Sequence, residues 1–251
     1  SPSRRQRQMC IRDRSYMRIS NEIINIVPEI KKWRQQLHAH PELGYEEEWT
    51  SNFVAEKLES FGLEIHRGLG KTGIIGVLKG LDPTLGGGGN KAIGLRADMD
   101  ALPMTEENNF SYKSKFEGRM HACGHDGHTA MLLGAAKLLS LKNDFNGTVY
   151  FIFQPAEEGG GGGLAMIDDG LFEQFPMDSV WGMHNWPGMN EGSVAIHKGS
   201  VMAAADKFEV TINGNGGHAA MPQATNDPVL AVTAIVQACL LYTSPSPRDE
   251  D

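Results

Sequence analysis

Residues 149–153 read Val-Tyr-Phe-Ile-Phe, an unbroken apolar run with none of the alternation that a water-facing side would impose. Such a run predicts a central strand covered on both faces. Three further strands are expected before it: Leu63–His66, Ile74–Leu78, and Ala92–Ala97 with Ile93 and Leu95 inward. Between the last of these and Val149–Phe153 lies helical spacing from about Gly127 to Leu141, so strand, helix and strand follow in turn. That order implies an α/β fold with a mixed, mostly parallel sheet and flanking helices.

Helices are also expected over Ile23–Leu37, where Pro28 should kink or restart the turn, and from about Glu46 to Phe61, stopped by Gly62. Ser179–Met183 makes a short strand. Phe208, Val210 and Ile212 alternate as a half-exposed strand does, and a helix should begin at Asp227, with its carboxylate as cap and Pro228 in the first helical position. This change of pattern suggests a hinge near Gly199–Val201, with a catalytic domain over 17–199 and the start of a second, α+β domain over 200–240. Residues 1–16 and 241–251 lack periodicity, share a Ser-Pro-Ser tripeptide beside Arg-Asp, and read as non-native tails.

Composition narrows the function. In 251 residues, 23 Lys and Arg face 31 Asp and Glu, a net charge of −8 that argues against a general nucleic-acid binder. The longest apolar stretch, Val229–Tyr242, is interrupted by Thr233 and Gln237 and is shorter than the roughly 18 residues of a membrane span. Three cysteines build no disulfide framework, which fits a cytoplasmic location. Gly68–Gly73 (GLGKTG) satisfies the dinucleotide-binding spacing, but a strand follows it where a helix is required, so a hairpin turn is expected instead.

Three of the nine histidines fall within Met120–His128 (MHACGHDGH), beside Cys123 and Asp126. A thiolate and imidazoles suit zinc, and also manganese, cobalt or nickel where carboxylates complete the set. Read alone, Cys-x-His is more often the mark of a buried thiol and hydrogen-bonded histidines. Three more polar clusters each follow an expected strand: Asp98 and Asp100, Glu157 and Glu158, and His184. Carboxyl ends of strands form the ligand crevice of an α/β sheet, so the four clusters can converge. Adjacent carboxylates point apart in extended chain, which allows Glu158 to reach a metal while Glu157 faces a water.

Six ordered segments resemble one family: WRQQLHAHPELGYEE (33–47), RADMDALPM (96–104), MHACGHDGHTAMLLGAA (120–136), FQPAEEGGGG (153–162), GMHNWP (182–187) and NGNGGHAAMPQ (213–223). They are similar to the hippurate hydrolase branch of the aminoacylase and carboxypeptidase G metallopeptidases. The resemblance implies a dinuclear-metal amidohydrolase acting on small N-acyl amino acids, with an inserted lid and dimerisation domain and a homodimeric full-length protein. It implies two divalent ions (Mn, Zn, Co or Ni) held by Cys123, His125, Glu158 and His184, with Glu157 as general base. Asp100 would orient a ligand imidazole with Asp98 nearby, and His218 would stabilise the oxyanion. No metal role is expected for His38, His40, His66, His128 or His197. Relatives extend further and supply one more ligand histidine, so this chain alone is expected to be inactive or barely active. A metallo-aminopeptidase or dipeptidase of the same fold, a non-catalytic fragment and a nucleotide-binding enzyme are the competing readings.

Overall fold

The computed structural model describes residues 19–81, 91–196, 198–199 and 209–243. Among the described residues, 19–193 form one compact unit, and those from Val194 belong to a second. Two helices lead the first unit, α1 (Asn21–His38) and α2 (Glu48–Ser60). Strands β1 (Glu64–Leu69), β2 (Gly73–Lys79) and β3 (Ala92–Asp98) follow, then α3 (His125–Lys142), β4 (Thr148–Gln154), the short helices α4 (Gly162–Asp168) and α5 (Leu171–Gln174), and β5 (Ser179–Gly182).

The five strands form one sheet in the order β1-β2-β4-β3-β5. β1 and β2 make an antiparallel hairpin whose turn is the GLGKTG segment, and β2 is antiparallel to β4. β3 is parallel to both β4 and β5. The sheet is therefore mixed, with parallel and antiparallel pairings evenly divided. Its parallel half matters here, because three strands end on the same edge.

β4 shows why the apolar run is unbroken. Val149, Phe151 and Phe153 join Trp33, Leu37, Val54, Leu58 and Leu133 in a core under α1, α2 and α3. Ile152 packs on the opposite face with Ile75, Val77, Met166, Leu171 and Phe175, under α4 and α5. Phe151 and Phe153 are wholly buried, each side chain contributing roughly 1.5–3 kcal/mol of transfer free energy. Ile93 differs from expectation: it is 38% exposed at the start of β3, because only the short edge strand β5 lies beyond it, while Leu95 and Ala97 reach the core.

Helix α1 starts at Ser20, whose side chain accepts a bond from the Ile23 N–H, and continues unbroken through Pro28. The carbonyl of Ile24 that proline leaves unpaired belongs to an exposed turn, where water can serve it. Helix α3 begins two residues earlier than the periodicity suggests, at His125, with Gly124 at φ +100° as its cap.

In the second unit, Asn215 and Asn226 exchange two backbone hydrogen bonds of 3.1 Å. Val210 and Ile212 lie in no strand, having no partner strand among the described residues, and Phe208 lies outside those residues, as does His197. Helix α6 (Pro228–Thr243) starts at Pro228, and the Asp227 carboxylate accepts from the Val229 N–H at 2.9 Å. No helix among the described residues is long and apolar enough to cross a membrane.

Candidate metal centre

Parallel pairing sets Asp98 opposite Gln154 and Arg96 opposite Gly182, so the segments leaving β3, β4 and β5 emerge side by side. The first turn of α3 lies over the same edge. Cys123, His125 and His184 offer ligand atoms within 4.8 Å of one another, as do His125, Glu157 and Glu158, and Asp98, His125 and His128. His125 is common to all three groups.

The His125 ring is buried, and its Nδ1–H donates to the Asp100 carbonyl at 2.8 Å, with Asp100 Oδ1 at 3.2 Å. That bond fixes the tautomer and leaves Nε2 to carry the lone pair. Nε2 has no hydrogen-bond partner among the described residues. Around it stand Asp98 Oδ1 at 3.8 Å, Glu157 Oε2 at 3.8 Å and Glu158 Oε1 at 3.9 Å. These separations are too long for hydrogen bonds and suit ligands that share a cation.

His184 is prepared in the same way. Its Nδ1–H donates to the Asn185 carbonyl at 2.6 Å, and its Nε2 lies 3.4 Å from Cys123 Sγ. Burial, a hydrogen bond to Glu158 and the carboxylates of Glu158, Glu157 and Asp98 push the Cys123 thiol up to about 12. Without a compensating cation the sulfur keeps its proton. A soft thiol, the unbonded Nε2 of His125, the His184 Nε2 that meets the thiol, and a carboxylate pair together fit divalent metal ions.

Asp98 and Asp100 stand behind these groups. Burial raises the Asp98 carboxyl, but the hydrogen bond from His128 and the charges of His125 and Arg96 outweigh it and hold Asp98 down to about 2. Asp100 is also lowered, burial being outweighed by His125 and by the backbone N–H groups of Glu158 and Glu157. Its Oδ2 accepts the Glu158 N–H at 2.9 Å, so one carboxylate orients an imidazole and anchors the acidic pair.

The sequence reading missed His128. Its Nδ1 donates to Asp98 Oδ1 at 2.7 Å, and its Nε2 receives the Asn185 N–H at 3.1 Å, so it ties β3 to the segment that carries His184. The signal was the three-residue spacing from His125, which puts both rings on one helical face once the helix starts at His125.

Other histidines hold structure. His38 donates to Asp126 at 2.8 Å and contacts Glu106 at 3.0 Å, while Arg34 also binds Asp126 at 2.7 Å, fastening α1 to the first turn of α3. His40 stacks on Trp49, and His66 lies in β1 beside Glu64. His121 is buried with neither ring nitrogen bonded among the described residues, and burial pulls its pKa down to about 4. His218 lies in an exposed turn of the second unit, its Nδ1 accepting the Ala220 N–H at 3.1 Å.

A mixed sheet that gathers thiol, imidazole and carboxylate donors at its strand ends defines a candidate metal-binding α/β protein. Residues 94–249 match Peptidase family M20/M25/M40, and the chain belongs to that family. It is 48% identical over 222 residues to a hippurate hydrolase of Campylobacter jejuni, covering 88% of this chain and 56% of that protein. It is 46% identical over 222 residues to an N-acyl-L-amino acid amidohydrolase of Geobacillus stearothermophilus, covering 86% and 58%. Among solved structures, a Bacillus subtilis dinuclear metal-binding peptidase of the M20 family superposes with a TM-score of 0.59 at 39% identity, over 64% of this chain and 44% of that one. The chain spans just over half the length of the curated relatives it matches.

Proposed function

We propose that this chain carries the metal-holding part of an amidohydrolase that cleaves the amide bond of small N-acyl amino acids with water. The observation that carries this reading is His125 Nε2, buried, unbonded among the described residues and ringed by three carboxylates beside the Cys123–His184 pair. In this reading Cys123, His125, Glu158 and His184 hold two divalent ions, and the mixed sulfur, nitrogen and oxygen set admits Mn, Zn, Co or Ni. Bound there, such ions would lower the pKa of water and polarise the scissile carbonyl.

The chain's own side chains do the rest. Glu157, 39% exposed at the mouth of the cluster, takes a proton from the attacking water and returns it to the leaving nitrogen. Asp100 keeps the His125 ring turned so that Nε2 faces the site, and Asp98 holds the segment that carries His184 through His128 and Asn185. His218 is proposed as the donor to the developing oxyanion. Hippurate, benzoyl-glycine, is the substrate class that the named relatives suggest.

The test, run on a protein of the relatives' length that carries these residues, is release of glycine from hippurate, compared with cleavage of an unblocked dipeptide, under added Mn, Co, Ni or Zn. Metal-dependent hippurate cleavage that E157Q abolishes while metal content is retained supports the proposal. Preference for the free amino terminus would favour an aminopeptidase. Full metal retention by C123S and H184A together would refute the site.

A further inference from the structure

Glu47 is fully buried, forms no ion pair with Lys or Arg among the described residues, and precedes the first turn of α2 without capping it: its side chain makes no cap hydrogen bond. The carboxylate reaches elsewhere. Oε2 accepts the Thr72 hydroxyl at 2.6 Å, and Oε1 accepts the Ala156 N–H at 2.8 Å. Thr72 belongs to the GLGKTG turn that the metal centre does not use. Ala156 is the residue between Pro155 and the Glu157–Glu158 pair.

Ala156 is a non-glycine residue at φ +47°, in the left-handed region that L side chains avoid. Such a conformation persists only where surroundings over-determine it. The surroundings do so: the Ala156 carbonyl accepts the Gly162 N–H at 3.0 Å, and Tyr45 OH bonds the Gly160 carbonyl at 2.7 Å. A Cβ at Gly44 would stand 3.0 Å from that of Ala156. On the far side, Glu158 N–H is held by Asp100. The turn at Ala156 decides where the two following carboxylates leave the backbone.

We infer that Glu47, held by Thr72, is a positioning residue that locks Ala156 in its left-handed turn and thereby aims Glu157 and Glu158 at His125. The inference rests on the proposed metal centre for what those carboxylates do, but the lock itself is a backbone property. A carboxylate suits it because one group can accept two donors from two directions. Burial pushes the Glu47 carboxyl up, and the bonds from Thr72 and Ala156 to its two oxygens offset part of that cost.

Two measurements on the full chain separate the lock from the metal reading. The first is amide hydrogen exchange over 154–162 without metal, and the second is a titration with Co2+ alone, followed by its absorption. T72V and E47A should accelerate exchange at the Ala156 amide and weaken Co2+ binding about tenfold to a hundredfold, the usual effect of removing a group that orients ligands. T72S, which keeps the hydroxyl donor, and E47Q, whose carbonyl can still accept the Ala156 N–H while its amide donates to a reversed Thr72 hydroxyl, should stay near wild type. A156G should restore most of the Co2+ affinity in the E47A background, because glycine adopts positive φ without help. If E47A does not fold, the T72V and T72S pair decides. Unchanged exchange in T72V, or a Co2+ loss that neither conservative replacement nor A156G recovers, would overturn the inference. Absence of Co2+ binding by the unsubstituted chain would defeat the metal reading, and the exchange result would still decide the lock.

Discussion

Loading the candidate centre should expel a proton from Cys123. Burial and the carboxylates of Glu158, Glu157 and Asp98 move this thiol from 9.0 to about 12, so at neutral pH the metal-free sulfur is protonated. A three-unit rise corresponds to about 4 kcal/mol against the thiolate. Solvent screening at this half-buried side chain reduces the figure to about 2 kcal/mol. The sign follows directly: the proton stays bound until the pH exceeds the raised value, so a cation that takes the thiolate competes with H+ and gains affinity as pH rises. One proton displaced gives about a tenfold gain per pH unit between about 6 and 8. Calorimetric titration with Zn2+ in two buffers of different ionisation enthalpy counts the protons released. His125, whose pKa is also raised because the Asp100 hydrogen bond and nearby carboxylates outweigh its burial, contributes equally to wild type and variant. C123S should therefore release one proton fewer than wild type. Equal release by the two, or an affinity flat across that pH range, would refute the reasoning.

Three other outcomes are expected. E157Q should keep its metal while turnover falls by about 10²–10⁴, the range of a positioned proton-transfer group, as read by steady-state hydrolysis alongside metal analysis. H128L cuts the link from Asp98 to Asn185 and should weaken metal binding about tenfold to a hundredfold through misplacement of His184, measured by chelator competition. His121, held down to about 4 by burial, resists protonation in the fold but not in the unfolded chain. Stability should thus fall as pH drops from about 6.5 to 4, by about 3 kcal/mol. Urea unfolding across that window should flatten in H121L, and a slope unchanged by the substitution would contradict the assignment.

The patterning of the chain alone was enough for the strands of the first unit and for bringing the candidate donors to one sheet edge, but the expected mostly parallel sheet is half antiparallel, because β2 folds back on both β1 and β4. Val149–Phe153 had to be a doubly covered strand because no residue in it tolerates water, and α1–α3 and α4–α5 supply the two covers. Asp98, Glu157, Glu158 and His184 had to come near one another because each follows a strand, and parallel strands end on one edge. Local pattern failed where a neighbour decides: Val210 and Ile212 alternate correctly yet pair with nothing among the described residues, and Ile93 lies open because the next strand is short.

Only the tertiary structure decided how the donors are oriented. Glu47 and Ala156 are separated by 109 positions, His38 and Asp126 by 88, and His128 and Asn185 by 57. Nothing in the spacing of a sequence encodes which distant carboxylate will accept which N–H. Hydrophobic periodicity is set by a residue's nearest turn or pleat and is therefore readable along the chain. A buried polar contact depends on two separate segments arriving at hydrogen-bond distance with both partners shielded from water, and that condition exists only once the sheet has folded.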